Sequence, residues 1–373
     1  MNPLETRVDI DQLLRSAIRR YYEQTFVTVP DLPKREFGYS MERGRKIQTR
    51  HVSFKSPKEF NAFLRREAPF YVSYSVALYR TPSAKDFEEA GFLGADWVFE
   101  FDMEYITKDD VIYCPKCDKV YHGEELMFSD PSRCPSCGAD TVIVRVPDPR
   151  RFFVAKRYTN RLIKLLREDF GVKDDEIKVN FSGNRGFHIH VISEEWEGIP
   201  PENRDELASY LTADVDPTMI VAEDDAGVFL YSFGIHGRIA RHLMSRFPYS
   251  VVGDRVYFSI DRNTAIKAVE EALSKVALPI DVHTTTDIHR LIRVPNSIHG
   301  STGLIAKTIE DLEEFNPYKD AVLPIRHTVT ARVRYLPEIE WAGEKYGPYE
   351  NETVELPVTL VLYLTAGVEG RKE

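Results

Sequence analysis

The chain has 373 residues, 43% hydrophobic and 12% aromatic, enough to bury a large core as one big domain or two modest ones. No apolar run approaches the roughly 18 to 20 residues needed to span a bilayer, and the first residues mix charge with helical periodicity in place of a signal-peptide core, so a cytoplasmic protein is expected. The net charge of −10 excludes a broadly basic coat for nucleic acid and leaves local basic runs as the relevant signal.

Ile10, Leu13, Leu14, Ala17, Ile18, Tyr21 and Tyr22 form a helical stripe that opens the chain, followed by a proline-punctuated stretch at 29–34. The first basic run, Arg43, Arg45, Lys46, Arg50 and His51, comes next. Residues 70–79 and 97–103 are aromatic, β-branched and alternating, and both predict strands. All four cysteines lie in the turn-rich segment 111–143, as Cys114-x-x-Cys117 and Cys134-x-x-Cys137 separated by sixteen residues. This spacing predicts a closed, tetrahedral, structural zinc site, with His122 as the substitute ligand if one cysteine is not used.

Residues 149–170 predict a long amphipathic helix carrying the second basic run, Arg150, Arg151, Lys156, Arg157, Arg161, Lys164 and Arg167. Each basic run reads equally as a phosphate contact or as a solvated face. Strands are expected at 177–181 and 187–192, and residues of about 200–278 read as a mostly helical subdomain. A strand-like run at 282–294 leads to a loop at His299-Gly300-Ser301-Thr302-Gly303. The tail from 326 to 373 is extended in character, and its apolar 354–364 predicts a packed edge strand in preference to a docking peptide.

Three stretches carry chemistry. In residues 96–104, alternation sends Trp97, Phe99, Phe101 and Met103 to one face and Glu100, Asp102 and Glu104 to the other. Carboxylates two residues apart on a strand lie about 6 to 7 Å apart, a span that can grip a pair of divalent ions. Ser182-Gly183-Asn184-Arg185-Gly186-Phe187-His188-Ile189-His190 is a glycine-bounded turn running into a strand, a cradle suited to phosphate oxygens. The third, 283–300, gathers Asp287, Arg290, Arg293 and several histidines. Taken singly, these read as an acidic edge strand, a polar hairpin and a surface ion pair.

Together they resemble the small, catalytic subunit of archaeal and eukaryotic DNA primases. The motifs are Phe99-Glu100-Phe101-Asp102, Ser182-Gly183-Asn184-Arg185-Gly186-Phe187-His188, and the late aspartate followed by Arg290-Leu291-Ile292-Arg293-Val294-Pro295 and Ser297-Ile298-His299-Gly300. The match runs in order over residues of about 20 to 325. The resemblance implies an α/β fold of mixed (α+β) sheet type: a primase catalytic core over 1–325, with the zinc insertion at 111–143 and the subdomain within it, and 326–373 as a C-terminal extension.

It also implies a metal triad of Glu100, Asp102 and Asp287 holding two Mg²⁺ or Mn²⁺ ions, with Ser182, Arg185, His188 and His299 around the nucleotide. The expected reaction is template-directed synthesis of short RNA primers on single-stranded DNA for replication by two-metal-ion nucleotidyl transfer, with the use of deoxynucleotides as well left open by the sequence. The expected partners are a large primase subunit, the template and nucleoside triphosphates, and no membrane. Two positions depart from the family pattern: Glu100 stands where aspartate is usual, and Ser301 where many relatives have lysine, with Lys307 as a substitute phosphate contact. The competing readings are a metal-dependent phosphoesterase or nuclease and a non-catalytic, zinc-containing nucleic-acid-binding subunit.

Overall fold

The computed structural model describes residues 4–6, 9–102, 109–125 and 130–369; Met103 and Glu104, at the expected end of the acid strand, lie outside them. Two four-stranded antiparallel sheets share one core. In the first the order is Thr308–Ile309, Ile177–Phe181, Gly186–Val191 and Trp97–Asp102. In the second it is Leu291–Arg293, Tyr71–Ser75, Phe37–Ser40 and Thr49–Val52. Alternation along the acid strand works as the residue types dictate: Phe99 and Phe101 are fully buried, whereas Asp102 is exposed.

Behind the first sheet lies the helix Phe153–Phe170, whose Tyr158 ring stacks on Phe101 at 6.0 Å. This helix spends most of the second basic run on structure. Arg151 pairs with Asp110, Lys164 with Glu168 and Arg167 with Asp174, and Arg161 donates to the Lys275 and Val276 carbonyls.

The region expected to be mostly helical is mixed. Four short strands, Ala222–Asp224, Gly227–Tyr231, Arg255–Phe258 and Tyr249–Val252, form an antiparallel sheet in that order. The helices Gly234–Met244 and Arg262–Val276 pack with it around a separate apolar cluster that includes Leu230, Ile239 and Val269. These strands have three to five residues each, too few for alternation to outweigh the helical pattern beside them.

Two further expectations need correction. The run 282–294 is not one strand: the Asp281 side chain accepts from the Thr284 amide and caps a helix, Val282–Thr286, and only Leu291–Arg293 is extended. The apolar 354–364 is not an edge strand throughout. The strand Tyr349–Pro357 ends at its proline and a helix, Val358–Glu369, follows, with Leu360, Val361 and Leu362 fully buried in the main core. An all-round apolar segment of this length has no period with which to choose between helix and strand. The tail is therefore part of the core, not an appendage: Thr328–Leu336 pairs with both Leu4–Thr6 and Tyr349–Pro357.

The cysteine segment folds as a three-stranded sheet, Val142–Val144, Val111–Tyr113 and Val120–His122, lying on that tail. Arg334 forms an ion pair with Asp118 and lies over the Tyr113 ring at 5.1 Å, and the His122 ring meets Tyr335 at 4.9 Å. No helix among the described residues is long and apolar enough to cross a membrane.

Candidate active site

Pairing of the acid strand with Gly186–Val191 sets His188 opposite Glu100 and Gly186 opposite Asp102. Only glycine fits at 186, because a Cβ there would stand 1.8 Å from the Phe101 carbonyl oxygen. The close approach brings the tip of the hairpin to the acids, where Arg185 Nη2 donates to Asp102 Oδ2 at 2.8 Å. Gly183, at φ +82°, backs onto the histidine loop: its Cβ would lie 2.8 Å from His299 Cβ, and the Thr302 hydroxyl donates to its carbonyl at 2.6 Å. Ser182 is engaged inside the hairpin, its Oγ accepting from the Asn184 and Gly186 amides at 3.3 and 3.2 Å.

Glu100 is the centre of the electrostatics. His188 Nε2 stands 3.4 Å from Oε1, the Thr284 hydroxyl 2.9 Å from Oε2, and Arg290 Nη2 3.4 Å from Oε2. Burial pushes its carboxyl up, but the His188 hydrogen bond and charge, the Thr284 hydroxyl and Arg290 together outweigh that and hold it down at about 2. Glu100 is thus an anion at any working pH. His190, further along the same face, is lowered to about 3 by burial first and then by the charges of His188 and Arg35, and stays neutral.

The third acid beside this pair is Asp281, which the sequence pattern alone does not single out. Its amide donates to the Glu100 carbonyl at 3.1 Å, and its Oδ2 lies 3.0 Å from the same Thr284 hydroxyl and 3.6 Å from the same Arg290 nitrogen that face Glu100. A hydroxyl carries one proton, so Thr284 satisfies one of the two carboxylates at a time. Asp287 turns elsewhere: its Oδ1 accepts from the His289 amide at 2.8 Å, and its charge is felt by Tyr79. Among the described residues it makes no hydrogen bond or ion pair with Glu100 or Asp102.

Arg293 is a second residue to which the sequence pattern gives no role of its own. It lies over the Tyr71 ring at 5.0 Å, and its Nη1 is buried without a hydrogen-bond partner. The His299 ring meets the same tyrosine at 5.4 Å and is kept neutral, by burial first and then by Arg293, Lys46, Arg185 and His188. A buried, unsatisfied guanidinium nitrogen is costly unless an anion completes it. Lys307 is committed, donating to the Asp320 carbonyl at 2.9 Å, and the Ser301 hydroxyl meets the Tyr71 hydroxyl.

The donor set of Glu100, Asp102 and Asp281 is all hard oxygen, the chemistry that suits Mg²⁺ or Mn²⁺. Glu100 and Asp281 share the Thr284 hydroxyl and Arg290, and Asp102 stands two residues along the strand from Glu100, so carboxylates are present on one side with few cations of their own to neutralise them. The four cysteines suit a softer ion: all four thiols lie within 4.8 Å of one another, with Cys114–Cys137 and Cys117–Cys134 sulfurs at 3.5 and 3.6 Å. The edge of a tetrahedron with Zn–S bonds of about 2.3 Å is roughly 3.8 Å.

Comparison with known proteins shows the family of the chain. The model of the DNA primase small subunit family matches residues 153–311. The DNA primase small subunit of Cenarchaeum symbiosum is 30% identical, over 94% of this chain and 96% of its own length. Those of Archaeoglobus fulgidus and Staphylothermus marinus are 29% and 30% identical, over 83% and 81% of this chain and 83% and 79% of their own lengths. The chain belongs to the family of DNA primase small subunits.

Proposed function

We propose that this chain is the catalytic subunit of a primase, which joins nucleotides on a single-stranded DNA template through a divalent-metal site held by Glu100, Asp102 and Asp281. The observation that carries this reading is that carboxylates and cations meet at one hairpin: Arg185 touches Asp102, and Arg293, its Nη1 buried without a hydrogen-bond partner, shares the Tyr71 ring with His299. Acids without the cations would serve a hydrolase equally well. The cations add a berth for a triphosphate.

Bound Mg²⁺ or Mn²⁺ ions supply Lewis-acid activation of a 3′-hydroxyl and neutralise charge on the leaving pyrophosphate. The protein's own groups do the rest. Glu100 is kept ionised by His188, Thr284 and Arg290, so metal binding displaces no proton from it. Arg185 holds Asp102 in place and faces the phosphates, while Arg293 and neutral His299 orient the triphosphate as charged and uncharged donors. Ser182 shapes the hairpin through its hydrogen bonds to two amides, and its contact with nucleotide is secondary to that work.

The four thiols hold a structural Zn²⁺ that fastens the knuckle to the C-terminal sheet. A large primase subunit is the partner, in keeping with the small-subunit names of the relatives. The reading is tested by incubating the purified chain, with its large subunit, on primed single-stranded DNA with labelled nucleotides and Mg²⁺ or Mn²⁺. Template-dependent extension with release of pyrophosphate is expected. Release of mononucleotides from the DNA without extension assigns the site to a phosphoesterase instead.

A further inference from the structure

The hairpin between Phe37–Ser40 and Thr49–Val52 is pinned on both sides of Lys46. On one side Arg43, its side chain 4% exposed, pairs with Asp11 at 3.2 Å and donates to the Ser301 carbonyl at 3.3 Å, in the loop that carries His299. On the other, Ile47 and Leu291 close over Gly38, reaching 3.3 and 2.6 Å from where its Cβ would stand. Leu291 is two residues from Arg293 on the same strand. The hairpin is therefore fixed against the histidine loop and the arginine strand together.

Its charges divide unequally. Arg45 pairs with Glu42 at 3.7 Å. Lys46 is exposed and, among the described residues, has no ion pair or hydrogen bond. The strand that the hairpin packs against carries Arg293, whose Nη1 is buried without a hydrogen-bond partner. The His299 imidazole senses Lys46 together with Arg293 and Arg185. A cation that has no structural partner, on a loop fixed against such a wall, is placed for a polyanion. An ammonium on a flexible four-carbon stem suits a terminal phosphate whose position varies, whereas the inner phosphates meet the rigid guanidinium forks.

We propose that Lys46 is a specificity-determining contact of the nucleotide site, gripping the outermost phosphates of the incoming nucleoside triphosphate and distinguishing it from shorter nucleotides. The assignment rests on the primase reading above. Arg185 touches Asp102 at the acids, whereas Lys46 is carried on an exposed hairpin that contacts the His299 loop through Arg43 and the Arg293 strand through Ile47, so a triphosphate with its α-phosphorus at the acids and its middle at Arg293 would extend its tail toward the hairpin.

The test measures equilibrium binding of ATP and of AMP, each with Mg²⁺ and without template, to the full chain and its Lys46→Ala and Lys46→Arg variants, alongside affinity for single-stranded DNA. Lys46→Ala is expected to bind ATP about 5- to 10-fold more weakly, the effect of removing a single charge-assisted hydrogen bond at a partly exposed site. AMP and DNA affinity should be unchanged, and Lys46→Arg should bind ATP nearly as the parent does. Equal ATP affinity in Lys46→Ala, or a loss confined to DNA affinity, overturns the proposal while leaving the primase reading intact. A parent chain that binds no ATP overturns both.

Discussion

The acid-bearing sheet and the cysteine knuckle offer opposite kinds of metal-binding group, hard carboxylates and soft thiolates, and they also differ in what each can bury. The acid strand and its neighbour place Phe99, Phe101, Phe187 and Ile189 at 0% exposure, so the sheet has a core of its own and its acid face is free to bind and release ions. Among the described residues the knuckle buries Val111, Ile112, Tyr113, Val144 and two of its own cysteines as its main apolar content, while Val120 remains 37% exposed. On the proposed reading, an ion held by the four thiols reinforces this small core. Removing metal should silence the first region without unfolding it and unfold the second without touching its neighbours' chemistry.

The largest effect expected is at the close approach that makes the sheet. In Gly186→Ala the new methyl would meet backbone atoms of Phe101 that have nowhere to move, so the loss should exceed about 3 kcal/mol in urea denaturation. Next are the acids. Glu100→Gln and Asp102→Asn should each lower nucleotide incorporation by at least about 100-fold, and Glu100→Gln should also lower the melting temperature modestly, because the folded state favours its ionised carboxylate through His188, Thr284 and Arg290.

Stripping zinc with a chelator, or Cys134→Ser, should abolish amide protection over 111–144 and loosen the strand that carries Arg334, while the catalytic sheet keeps its protection in hydrogen exchange. A collapse of protection across the whole chain would break the contrast.

The smallest effect is a pH dependence. His190 has a folded value of about 3, below its ordinary 6.5, so between these limits the unfolded chain binds a proton that the native state does not. Stability from this group is complete above pH 6.5 and is lost as pH falls toward 3. His299 acts in the same direction, and Glu100 adds to it below its ordinary 4.5. The denaturation midpoint should therefore fall on acidification, and His190→Gln should make the slope shallower.

Much of this site was legible because its signals were local. Alternation placed Glu100 and Asp102 on one face, glycine spacing marked the hairpin, and paired C-x-x-C motifs marked the four-cysteine cluster. What escaped depended on contacts distant in the chain. Asp281 reads locally as the cap of a short helix, and only the Thr284 and Arg290 contacts shared with Glu100 reveal that it lies beside that acid. Asp287, closer to the arginine motif, was the more conspicuous acid and spends its carboxylate on its own turn. Arg293 could not be recognised until its burial beside Tyr71 was seen. The apolar tail, uniform on every side, carried no period from which to read a helix.

If the metal acids are Glu100, Asp102 and Asp281, then template-directed extension by Asp281→Asn and Asp287→Asn, measured side by side over a range of Mn²⁺ concentrations with circular dichroism to show that both fold, separates the two. Asp281→Asn is expected to lose extension about as completely as Asp102→Asn, while Asp287→Asn stays within a few-fold of the parent. An inactive Asp287→Asn beside an active Asp281→Asn would overturn the assignment of Asp281.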